Sequence, residues 1–309
     1  MRVADLNIGV QLTLSVFTVA AVTTVVFALI HAVPGDPVDI LLGEYAATVD
    51  RRAMRAQLGL DRPLLMQWLS FFTGAVRFDF GQSLITGESV GGLVRFHLRY
   101  TALLASCALL VAIAVGIPVG IVAACRQGYF ADRASMVLVL LALAVPNFVL
   151  GPMLIWLFAI VLKWLPAGGA EDPGALILPV FTLGLSMAAL LARMTRAVML
   201  DTLDQPYMQA AKARGLWPYQ RLLHALRNSA LPIVTVIGLQ LGALLGGAVI
   251  TEAVFGWPGL GQLLVDSIHR RDYPVVQASV LVISVTYVLL NNFTEIVYRW
   301  LDPRIGQTT

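Results

Sequence analysis

Charge is scarce in this chain. Asp, Glu, Lys and Arg make up 13% of its 309 residues, against about 25% in an ordinary soluble protein. Hydrophobic residues make up 58%, and the mean hydropathy is +0.81. Too few polar side chains exist to coat a water-soluble core of this size, which excludes a large soluble protein. Lysine is nearly missing: Lys163 and Lys212 stand against 19 arginines. Neither follows a Gly-x-x-x-x-Gly-Lys-Ser/Thr run, so the chain cannot cradle ATP by that route. The net charge of +3 is too small to indicate nucleic acid. Cys107 and Cys125 lie on or beside one apolar segment, about 27 Å apart on a continuous helix, which excludes an intrachain disulfide. Neither has a His or Cys at metal-ligand spacing. No His-Glu-x-x-His pair or Gly-x-Ser-x-Gly elbow occurs, and His31, His97, His224 and His269 are scattered. No catalytic, cofactor-binding or metal-binding residue is therefore assigned.

Long uncharged runs are what the chain has. A bilayer crossing takes about 20 apolar residues. Residues 8–30, 100–124, 134–162, 173–192, 229–251 and 274–294 contain no charge, though Pro146 and Pro152 interrupt the third run. The expected fold is an all-α membrane protein of six transmembrane helices. The first run has 23 residues, longer than a signal-peptide core of about 7–15, and reads as an uncleaved anchor. Basic residues set orientation. With a cytoplasmic N-terminus, the inside holds Arg2, Arg126, Arg133, Arg193, Arg196, Lys212, Arg214, Arg221, Arg227, Arg299 and Arg304. The short outside loops hold only Lys163, Arg270 and Arg271. Both termini are expected in the cytoplasm.

The organisation follows: a tail and first span over 1–32, an extracytoplasmic helical insert over 33–99, and a five-helix core over 100–309. In the insert, a short helix from Asp50 to Leu58 stops at Gly59. Asp61-Arg62-Pro63 then opens a second, with Leu64, Leu65, Trp68, Leu69 and Phe72 at helical spacing. It is expected to lie on the outer membrane face. In the core, the inside loop 199–228 reads as helix, bend, helix. Asp204 caps a helix with Pro206 near its start, and Gly215 ends it. Trp217-Pro218 starts a second helix over Tyr219 to Asn228, before Leu231-Pro232 opens the fifth span. Ala210, Ala211 and Ala213 keep the first helix thin, suited to close approach by a partner protein. Gly238, Gly242 and Gly246 share one face of the fifth span, a pattern that lets helices approach closely in lipid. Gly116 and Gly120 repeat the spacing once on the second span, where static packing is expected.

Gln209-Ala210-Ala211-Lys212-Ala213-Arg214-Gly215, with Asn228-Ser229-Ala230-Leu231-Pro232, resembles the EAA loop of ABC import permeases, with Gln209 where the name-giving glutamate stands. Residues 56–63 and 78–83, 238–247, 252–261, 271–274 and 301–304 resemble dipeptide and oligopeptide permeases, over nearly the whole chain. The resemblance implies the type I ABC importer permease fold in a bacterial plasma membrane, with residues 209–215 as the helix that docks into an ATPase subunit. It also implies a second homologous permease, two ATPase domains that bind ATP and Mg, and an extracytoplasmic binding protein. Nickel and glutathione permeases are related alternatives. An ion-coupled secondary transporter is a rival class, but Arg193, Arg196, Glu252 and Glu295 all fall near span ends, not at the midplane where such transporters place ionisable groups.

Overall fold

In this computed structural model, residues 8–32 and 61–301 are described. The expected helix at Asp50 to Leu58 and the chain from 302 onward lie outside them. Regular structure among the described residues is helical, with one isolated bridge between Gln82 and Ser89. The helices are α1 (Ile8–Ala32), α2 (Leu64–Val76), α3 (Val90–Cys125), α4 (Phe130–Ala144), α5 (Asn147–Leu154), α6 (Ile177–Leu203), α7 (Pro206–Ala213), α8 (Pro218–Phe255), α9 (Leu260–His269) and α10 (Tyr273–Leu301). A π-helical stretch, Ile155–Val161, continues α5. An all-helical answer is what a bilayer dictates, because a helix satisfies its backbone polar groups within one segment.

Helices α3, α6, α8 and α10 are each long and apolar enough to cross a membrane. The first expected span is a 25-residue helix without a charge. The third expected span departs from a straight crossing. Its halves, residues 130–144 and 147–161, meet at 101°. Each has 15 residues, about 22 Å of helix, too short to cross alone. Pro146 explains the break: Val145 is held extended before it (φ −94°, ψ 114°), as a residue preceding proline is. Pro152, in contrast, sits inside α5 without ending it.

Two other expectations change. Helix α6 runs to Leu203, well past the predicted end at 192, and so carries Arg193 and Arg196. The predicted short helix 219–228 and the fifth span are one helix of 38 residues that continues past Pro232. Proline removes one backbone hydrogen bond, and packing against neighbouring helices sustains such a gap in membrane spans.

The described chain forms two compact units. One takes in Ala102–Trp257 and the chain from Leu289; the other takes in the chain to Thr101 with Pro258–Val288. In the first, α3 and α6 approach so closely that a side chain at Gly116 or Gly120 would meet backbone. An added Cβ would lie 2.7 Å from the Ala188 carbonyl oxygen or 2.6 Å from that of Ala192. Close packing at these two glycines is thus present. Arg196 of α6 grips Asp132 of α4 with two hydrogen bonds, Nε to Oδ1 at 2.6 Å and Nη2 to Oδ2 at 2.8 Å. Asp132 also accepts from the Gly128 N–H at 2.9 Å. The bidentate pair explains how α6 keeps an arginine on a packed face.

In the second unit, Val90, Val94, Leu260, Val275, Ala278 and Val282 form an apolar core. Buried Asp272 accepts a hydrogen bond from the Ser83 hydroxyl and another from the Leu84 N–H. Part of the insert therefore packs with the chain that precedes and opens α10. No sequence spacing announces a pairing across 189 positions.

Candidate coupling elbow

The candidate site is the turn from α6 through α7 into α8. Helix α6 ends at Leu203, and the Asp204 N–H donates to the Leu200 carbonyl. Asp204 therefore closes α6 and does not cap α7, as the sequence suggested. The N-cap of α7 is Gln205, extended and without a side-chain cap, followed by Pro206 at the first helical position. Proline suits that position, where no helical N–H partner exists to lose.

Helix α7 ends at Ala213, and Gly215 adopts φ +80°. The Leu216 N–H donates to the Ala211 carbonyl at 3.2 Å and the Gly215 N–H to the Lys212 carbonyl at 3.0 Å. This paired closure is a Schellman motif, which uses a left-handed residue and so favours glycine. Trp217 then turns extended and Pro218 starts α8. The Trp217 N–H donates to Gln220 Oε1 at 3.0 Å, securing the new helix start.

The elbow is fastened to the bundle. Met208 is buried with Ala124, Met199 and Ala225, so α7 is pinned to the ends of α3 and α6 and the start of α8. Burying such a side chain stabilises by about 1.5–3 kcal/mol. Asn228 Nδ2 donates to the Tyr207 hydroxyl at 2.9 Å, and the Thr202 and Ser229 hydroxyls share a hydrogen bond of 2.9 Å. Leu222 and Leu226 pack into the same cluster, whereas Leu223 is exposed.

The residues singled out from sequence divide between two faces. Gln209, Ala210, Lys212, Ala213, Arg214 and Gly215 are exposed. Ala211 is only 5% exposed and faces inward. Its small side chain serves the seat of α7 against its own chain, not the approach of a partner. The outward face joins small residues to two cations, with Tyr207, Trp217 and Tyr219 exposed around it. Aromatic residues and arginine are enriched in protein interfaces.

The glycine face of α8 also divides. A Cβ at Gly238 would collide with Thr294 of α10 and come within 2.8 Å of the Tyr298 hydroxyl. That hydroxyl donates to the Thr235 carbonyl at 3.1 Å, holding α10 against α8 there. A Cβ at Gly246 would meet nothing within 4 Å, so the close approach is not continuous along the stripe. Sequence reasoning placed Glu252 near a span end but missed that it is fully buried on α8, and it missed the enclosure of Phe255, which Gly151 and Gly168 approach and whose carbonyl accepts from the Gly169 N–H. Gly168 and Gly169 in a turn were the available signal for a close backbone approach. Among the described residues, no group of His, Cys, Asp and Glu could hold a metal ion.

Comparison with known proteins agrees with this architecture. The model of the family "Binding-protein-dependent transport system inner membrane component" matches residues 116–307. That of the corresponding N-terminal region, "Binding-prot-dependent transport system membrane comp, N-term", matches residues 8–88. The glutathione transport system permease protein GsiC of Escherichia coli (strain K12) is 40% identical over 291 residues, covering 93% of this chain and 94% of its own length. GsiC of Shigella dysenteriae serotype 1 matches to the same extent. Two solved structures of the MetNI methionine ABC transporter in inward-facing conformations share the fold. One has a TM-score of 0.57 at 22% identity, covering 68% of this chain and 96% of that one. The other has a TM-score of 0.55 at 18% identity, covering 70% and 97%. The chain thus belongs to the binding-protein-dependent transport system inner membrane component family, as a multi-pass inner-membrane permease of an ABC importer and a transport subunit, not an enzyme.

Proposed function

We propose that this permease forms half of an ATP-driven pathway for short peptides, and that α7 is the helix through which a separate ATPase drives it. The observation that supports the coupling role is the outward face of α7: small and cationic residues on a helix pinned from behind by Met208 and closed by Gly215. Helix α8 leaves the elbow unbroken over 38 residues, about 57 Å long. Movement of an ATPase seated on α7 would be carried along that helix into the membrane. ATP binding closes the two ATPases and opens the cavity outward; hydrolysis returns it inward.

The remaining partners are a second homologous permease and an extracytoplasmic binding protein that delivers substrate. ATP and Mg reside on the ATPase subunits. We place six crossings in the bilayer, counting α1 and the bent α4–α5 pair, with both termini in the cytoplasm and the elbow on that side.

A second reading of the substrate is glutathione, itself a short peptide, favoured by the 40% identical glutathione permeases. Uptake of a labelled dipeptide and of labelled glutathione into cells expressing the whole transporter separates the two. The peptide reading predicts accumulation of the dipeptide with glutathione as a weak competitor. Glutathione uptake unaffected by excess dipeptide would overturn it.

A further inference from the structure

Helix α2 is amphipathic in the wrong sense for a helix washed by water. Its partly buried face, which includes Trp68, Phe71 and Phe72, rests on α1. There the Trp68 indole N–H donates to Thr24 Oγ1 at 3.2 Å, and Phe71 meets the Phe27 ring. A water-facing helix would carry charge on its opposite side. Here Leu65, Leu69 and Val76 flank the α1 contact and Met66 lies further round, each exposed, while the far side carries only Ser70 and Gly74 and no charge. The helix has no charged residue and none that is fully buried. Thr73 turns its hydroxyl back to the Leu69 carbonyl at 2.8 Å and the Ser70 carbonyl at 3.1 Å. An apolar patch of this kind marks a contact surface.

Two observations identify what covers it. The first charges met on leaving the helix in either direction are Arg62 and Arg77, followed by Asp61 and Asp79. Arginines at both ends of an uncharged helix suit headgroup phosphates, with their aliphatic stems in the apolar layer. The helix also packs on α1, whose Val16, Phe17 and Val25 are likewise exposed on a helix counted above as a membrane crossing. We infer that α2 is sunk into the boundary between headgroups and acyl chains, in the leaflet at the C-terminal end of α1, with Leu65, Met66, Leu69 and Val76 against lipid. It is then a membrane-embedded anchor for the insert, not a cap in water. In the orientation proposed above that leaflet is the outer one, but the inference rests only on the membrane location of α1.

The test is the depth of a reporter on α2. In full-length protein carrying C107A and C125S, with its companion subunits, a single cysteine is placed at L65C, or one turn on at L69C, and labelled with an environment-sensitive fluorophore. The protein is reconstituted in phosphatidylethanolamine–phosphatidylglycerol vesicles with acyl chains brominated just below the headgroup. V16C on α1 reports lipid and Y129C reports water. Bromolipid is expected to lower emission from both α2 positions about twofold, as for a helix buried to about 5–10 Å, while leaving Y129C unchanged. Quenching of V16C but not of L65C or L69C, with both α2 labels open to aqueous iodide, would overturn the inference and leave the membrane reading intact. Labels protected from bromolipid and iodide alike would also overturn it, assigning the face to protein.

Discussion

Single residues carry much of this molecule's design, and the glycines show it best. Gly238 and Gly246 look alike in sequence, two helical turns apart on one face, yet only Gly238 touches a neighbouring helix closely. Gly238→Ala is expected to destabilise the bundle by about 1–3 kcal/mol, whereas Gly246→Ala should be neutral or slightly stabilising. Thermal unfolding in detergent compares the two directly, and equal effects would contradict the packing described. At Gly215 the constraint is conformational. Gly215→Pro cannot adopt φ +80° and lacks the N–H that closes α7. Uptake should fall sharply while the chain stays inserted, with ATP hydrolysis by the assembled transporter no longer tied to substrate. Unaltered uptake would remove Gly215 from the coupling path. Asp132 is a third such position. Asp132→Asn weakens its bidentate grip on Arg196 and leaves a cation near a packed face. A loss of about 1.5–3 kcal/mol is expected by the same unfolding assay, with Arg196→Lys intermediate because an ammonium cannot form the fork.

At the scale of elements, the outcome depended on how local the cause was. The end of α7 at Gly215 and the start of α8 at Pro218 were legible, because each is set by one residue's backbone preference. So were the uncharged spans, since bilayer thickness sets their length. The 101° bend was legible only as a proline within an apolar run, because its angle depends on what α4 and α5 pack against. Proline alone did not decide the outcome: Pro146 breaks a helix, whereas Pro118, Pro152 and Pro232 lie within helices. Asp204 failed as a cap because α6 continues to Leu203 and claims it. Most telling is Ala211. Sequence showed three small residues within four positions and assigned them all to a partner, but helical geometry turns Ala211 inward beside Met208. The seat makes its own prediction. Met208→Ala leaves the docking face unchanged and hollows its support, which costs about 2–5 kcal/mol in a buried site. Hydrogen exchange across residues 206–213 should quicken relative to the span of α8. Unchanged protection there would show that α7 is held by something other than Met208.

For the whole molecule, the distribution of charge agrees with the family assignment. Members of this family are transport subunits and not enzymes, and the proposed seat on α7 gives the motion of an ATPase subunit a point of entry. The elbow is fastened to the bundle and continuous with a helix of 38 residues. In the proposed transporter, a separate ATP-hydrolysing subunit sits on the outward face of α7. This seating is tested most directly by purifying the chain in mild detergent as wild type and with tryptophan placed at Ala210 or Ala213. An ATPase subunit should accompany the wild type and be lost from both variants, which remain folded in the membrane. A wild-type chain that transports with no such subunit bound, or variants that keep it fully, would contradict the account.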